Sequence, residues 1–92
     1  MAKYLMLGKY SPEGLKGMSA DRTGQVIEAI QESGGKVDVM YALLGCYDLA
    51  FIVDFPANSD AIKSSAAISK ITGIGFNTFP AMAIEEFDKL VK

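Results

Sequence analysis

From Ala2 to Tyr10 the chain alternates two apolar sets with a period of two and predicts a strand, with Leu5 and Leu7 on one face and Tyr4, Met6 and Tyr10 on the other. Ser11-Pro-Glu-Gly14 breaks this run as a loop. Ser19 is suited to cap a helix from about Ala20 to Ser33, with Asp21 favourable in the first turn, a stripe of Val26, Ile27 and Ile30, and Gly34-Gly35 as the stop. Lys36 to Leu44 predicts a second strand with Val37, Val39, Tyr41 and Leu43 on one face. A short hairpin, Gly45-Cys46-Tyr47, leads into a third strand from Asp48 to Phe55. Pro56 ends it, and Asn58 or Ser59 caps a helix to about Ile71 whose stripe is Ala61, Ile68 and Ile71. Phe76 to about Met82 makes a fourth strand, in which Pro80 points to a sheet edge or a bulge near the strand's end. A last helix, about Ile84 to Val91, carries Phe87, Leu90 and Val91 on one side.

The order is β-α-β-β-α-β plus a C-terminal helix. It predicts one α+β, ferredoxin-like domain over residues 1–92, with two helices on one face of a four-stranded antiparallel sheet. If Leu7 and Phe51 face the helices, then Met6, Tyr10, Ala50 and Ile52 lie on the bare side. An uncovered apolar face of that size favours pairing with a second copy, so a homodimer or higher homo-oligomer is expected.

Composition narrows the functions. The chain has no His and a single Cys, so neither a Ser-His or Cys-His nucleophile pair nor an internal disulfide can form. No metal and no cofactor are expected. Nine basic and eleven acidic residues are scattered, with no cationic stripe, which argues against a nucleic-acid partner. The longest uncharged run, Ile71 to Ile84, is too short to span a membrane and is interrupted by Gly73, Gly75 and Pro80. A cytoplasmic protein without membrane association is the expectation.

Lys3-Tyr-Leu-Met-Leu-Gly-Lys-Tyr10, Arg22, Gly34-Gly35, Leu44-Gly-Cys-Tyr-Asp48 and Ile52-Val-Asp-Phe-Pro56 together resemble the GYD-domain family, over nearly the whole chain and in the same order. The family takes its name from a Gly-x-Tyr-Asp hairpin, here Gly45, Tyr47 and Asp48. The resemblance implies a subunit of the dimeric α/β-barrel superfamily. That superfamily includes cofactor-free monooxygenases, heme-degrading enzymes, muconolactone-type isomerases and small-ligand regulators. Many of its active members rely on His, which this chain lacks.

Four residues are candidate ligand contacts: Tyr10, Arg22, Tyr47 and Asp48. Tyr47 and Asp48 could line the mouth of a cleft between two sheets, as donor and carboxylate, or serve the turn itself, since Asp accepts backbone amides there. Tyr10 could orient an aromatic ligand or pack in a core or seam. Arg22 could hold an anion or pair with Asp21, Glu28 or Asp48. Met6 and Met82 could form pliable walls of an apolar pocket. Asp48 and Asp54 lie roughly 20 Å apart along one strand, too far for a carboxylate dyad. Gly73-Ile-Gly75 runs from helix to strand, the reverse of a phosphate loop.

Three functions stay open: a protein binding a small apolar or aromatic ligand between sheets, a structural subunit docking a protein partner, and a cofactor-independent oxygenase or isomerase. In the last, Asp48 would remove a proton and Tyr47 stabilise the enolate. No catalytic residue is assigned.

Overall fold

The central strand, β1 (Ala2–Tyr10), pairs antiparallel on one side with β3 (Leu49–Phe55) and on the other with β4 (Ile74–Ala81). A fourth strand, β2 (Lys36–Ala42), completes the order β2-β3-β1-β4 in a computed structural model that describes residues 1–92. The helices are α1 (Pro12–Lys16), α2 (Ala20–Glu32), α3 (Asn58–Thr72) and α4 (Ile84–Leu90). Setting aside α1, this is the ferredoxin-like β-α-β-β-α-β order followed by a helix.

The sheet is open. The expected α/β barrel is therefore corrected: four strands are too few to close, and both edges stay free. Each edge is also marked against pairing, β4 by Pro80 and β2 by a bulge between Val37 and Val39.

The register of β1 on β3 reverses the expected faces. Met6 stands opposite Phe51 and Tyr4 opposite Val53, so both pairs share the helix side. Tyr4, Met6, Phe51, Val53 and Phe55 form the core with Val26, Ala29 and Ile30 of α2 and Ala61 and Ile68 of α3. Leu5 and Leu7 turn to the bare side, opposite Ile52 and Ala50. Because β1 is apolar on both faces, its alternation alone carried no sign of which face was inside. In β2 the bulge separates Val37, opposite Val53, from Val39, opposite Ile52. Val37 is thus on the helix side while Val39 and Tyr41 are on the bare one, where a single face was expected.

The helices follow the predicted capping in part. Ser19 caps α2, its Oγ accepting from the Arg22 amide at 3.1 Å. Gly34 adopts φ +79 beyond the helix, and a Cβ on Gly35 would lie 2.7 Å from the Phe55 ring and 2.8 Å from Ile30. No side chain caps α3, whose N-cap is Ala57 rather than Asn58 or Ser59. Asn58 instead accepts a hydrogen bond from the Tyr4 hydroxyl, anchoring α3 on β1. Ile71, expected in the buried stripe, is exposed, while Ser64 and Thr72 are buried. The predicted loop after β1 is a one-turn helix, α1, because Ser11 accepts from the Gly14 amide at 3.0 Å. No helix is long and apolar enough to cross a membrane.

Truncation of Met6, which is fully buried, tests the corrected faces. Met6→Ala is expected to lower unfolding free energy by about 2–5 kcal/mol in urea denaturation. Leu7→Ala, on the half-exposed side, is expected to cost less.

Candidate functional site

The Gly-x-Tyr-Asp hairpin resolves into backbone bonds. The connection is longer than expected, because β2 ends at Ala42 and β3 begins at Leu49. Leu43 N–H donates to the Asp48 carbonyl at 2.8 Å, and Asp48 N–H donates to the Gly8 carbonyl at 2.8 Å. Asp48 Oδ2 accepts from the Tyr10 amide at 2.9 Å. One residue thus ties the start of β3 to the end of β1 through both its backbone and its carboxylate. Gly45 holds φ +143, a region open to glycine and strained for other residues. Tyr47 Oη accepts from Asn77 Nδ2 at 2.9 Å, linking the hairpin to β4. Lys9 Nζ donates to the Cys46 carbonyl at 3.1 Å.

Tyr10 and Arg22 come together elsewhere. The Arg22 guanidinium carbon lies 5.5 Å from the Tyr10 ring centroid, and Nη1 donates to the Gly14 carbonyl. None of the acidic partners considered for Arg22 forms an ion pair with it. Both residues line a cavity of about 200 Å³ on the helix side of the sheet, beneath the first turns of α2. Val26, Met40 and Phe51 supply apolar wall, and Met18 borders it from the segment before α2. Tyr47 and Asp48 are not among its lining residues.

The four candidates therefore divide. Tyr10 and Arg22 share a cavity, Asp48 holds the Tyr10 backbone from behind, and Tyr47 belongs to the hairpin–β4 contact. Tyr10 was expected on the bare face and instead follows Met6 to the helix side. Met6 is in the core and Met82 is exposed, and neither lines this cavity. Met18 and Met40 do. Val26 was legible as a stripe residue of α2. Met18, outside any periodic element, carried no signal.

A charged cluster that sequence reasoning did not single out closes one end of the bare face. Lys3 Nζ meets Asp54 Oδ1 at 3.1 Å and also pairs with Asp38 at the bulge of β2. The hydrogen bond to Asp38, and then that to Asp54, raises the Lys3 ammonium above its ordinary pKa. The hydrogen bond from Lys3 holds the Asp38 carboxyl below the ordinary range. The two signs differ. The Asp38 contribution is present above its unfolded pKa and is lost as pH falls through the lowered folded value. The Lys3 contribution is present below its unfolded pKa and is lost as pH rises through the raised one. Exposure keeps both small.

Two measurements follow. Asp48→Ala strips an acceptor from the half-buried Tyr10 amide and is expected to cost about 1–3 kcal/mol in chemical denaturation. In carboxyl NMR titrations, Asp38 is expected to titrate below an ordinary aspartate and to return towards it in Lys3→Ala.

A search of the curated proteins finds no match. Among solved structures, the chain is similar to the leucine response regulatory protein (LrpA) of Mycobacterium tuberculosis, with a TM-score of 0.64 and 12% identity. The likeness covers 89% of this chain and 51% of that one, so this chain spans about half that protein's length. At such an identity the likeness speaks of fold alone. The model of the GYD domain matches residues 4–91, which takes in the hairpin, the Tyr10–Arg22 pair and all four strands but for the first residues of β1. The chain belongs to the GYD domain family.

Proposed function

We propose that this protein is a homodimeric binding protein for a small apolar or aromatic ligand. The observation that carries the reading is the cavity of about 200 Å³ lined by Tyr10, Arg22, Val26, Met40 and Phe51. A cavity of about 150 Å³ is enough to hold benzene, so this one suits a ligand of one ring or a short branched chain. It lies on the helix side of the sheet, not in the cleft between sheets that the sequence suggested.

The dimer reading rests on the opposite face. Leu5, Leu7, Val39, Ala50, Ile52 and Phe79 lie there, none of them under a helix of their own chain. Edge-on pairing is disfavoured by Pro80 and the β2 bulge, so face-to-face contact with a second copy is the supported mode. A structural role in assembly is favoured by a separate observation. Ile84, Phe87 and Leu90 on α4, and Val91 just beyond it, are all exposed. A seven-residue helix has little stability of its own in water, so α4 gains from a tertiary or quaternary partner. The enzymatic reading loses support, since Asp48 is engaged by the Tyr10 amide and Tyr47 by Asn77.

Native mass spectrometry of freshly purified protein, run beside a denaturing spectrum, tests both parts. A dimer carrying a small mass lost on denaturation is expected. Val26→Phe, which fills the cavity, is expected to lose the bound mass and keep the dimer. Ile52→Lys is expected to yield monomer. A wild-type monomer without bound mass would overturn the reading.

A further inference from the structure

We propose that the ligand of the cavity is a small monocarboxylate with a compact apolar body, and that Arg22 receives its carboxylate. This rests on the cavity reading above and names the chemistry that would occupy it. Arg22 is the one charged residue of the lining, which holds no Asp or Glu. Its guanidinium carries five N–H donors in a fixed fork, and the Gly14 carbonyl takes only one hydrogen bond, from Nη1. No carboxylate of the protein pairs with it, although Glu13 and Asp21 line an open groove that Arg22 also borders.

The guanidinium is also held in place. It sits over the Tyr10 ring, 5.5 Å from its centroid, Nη1 bonds the Gly14 carbonyl, and the Asp48 bond to the Tyr10 amide fixes the strand end that carries that ring. A planar fork held this way suits bidentate recognition of a carboxylate, which Lys would not reproduce. The first turn of α2 contributes in the same direction. Ser19 and Thr23 line the cavity there, at the end of the helix where partial positive charge favours an anion.

The rest of the lining sets the body of the ligand. Met18, Val26, Met40, Leu49, Phe51 and Ile74 offer apolar contact without a second charge. A cation would meet Arg22 and find no acid. A phosphate ester would bring further negative charge with no second cation in the lining to meet it. A single ring or a branched chain of four or five carbons, bearing one carboxylate, matches both volume and charge.

Benzoate and benzamide share a shape and differ in charge, so titration calorimetry of the full chain with each separates the two questions. Benzoate is expected to bind about tenfold more tightly than benzamide, or better. Arg22→Gln is expected to erase the preference for benzoate over benzamide, and Arg22→Lys to restore only part of it. Methyl NMR of the wild type is expected to show benzoate shifting Met18, Val26 and Met40, which locates the site even if a variant folds poorly. Equal affinity for the two compounds in the wild type would overturn the carboxylate assignment and leave the cavity reading standing. So would a preference unchanged in Arg22→Gln. Absence of binding by either compound, with no methyl shifts, would remove the cavity reading and this assignment with it.

Discussion

The pairing of Met6 with Phe51 across β1 and β3 fixes which side chains face the helices and which stay uncovered. Side chains alternate along a strand, so a shift of one residue between these central strands would exchange the inner and outer faces of the sheet. With Met6 opposite Phe51, the rings of Phe51 and Phe76 lie 5.3 Å apart on the helix side, and Tyr4 meets Phe55 edge-on at 5.6 Å. Tyr10 follows the same parity and enters the cavity. Leu5, Leu7 and Ile52 are thereby left on the other face, where only a partner can cover them fully. The cavity and the uncovered apolar face are the two sides of one register.

The Gly-x-Tyr-Asp hairpin takes on meaning from its distance to the cavity. Asp48 does not line it, yet its carboxylate holds the amide of Tyr10, whose ring backs Arg22. The Gly-x-Tyr-Asp motif thus supports the Tyr10–Arg22 pair from behind through one hydrogen bond, while its tyrosine hydroxyl braces β4 through Asn77.

The elements were largely legible because their signals were local. Ser19 before α2, Gly34 after it, and Pro80 in an edge strand each act through their own backbone, and each stands where such residues belong. What failed depended on contacts between elements. Leu5 and Leu7 are as apolar as Tyr4 and Met6, so only the partner strand decides which set is inside. Ile71 fits the spacing of α3 yet lies beyond the sheet's cover, and Thr72 is buried instead because its hydroxyl finds the Ile68 carbonyl at 2.7 Å. Of the four candidate contacts, two share a cavity, which sequence could not foresee because that cavity depends on how α2 sits on the sheet. The Lys3–Asp38–Asp54 cluster escaped for a similar reason, since it joins three strands and requires the bulge.

That bulge connects the two faces. An unbroken β2 would set Val39 opposite Phe51, on the helix side with Val37. The extra residue at Asp38 moves Val39 out to face Ile52 and brings Met40 opposite Phe51, where it borders the cavity. The same residue turns a carboxylate towards Lys3, closing the rim of the bare face with charge. An inserted position that weakens the ladder at an edge therefore supplies a flexible wall to the cavity and a polar boundary to the bare face. Pairing through the open edge of β2 would compete with both, and the bent strand with its exposed carboxylate disfavours it. The limits of the bare apolar face are then set by the bulge and Lys3 at one end and by the Tyr47–Asn77 bond at the other.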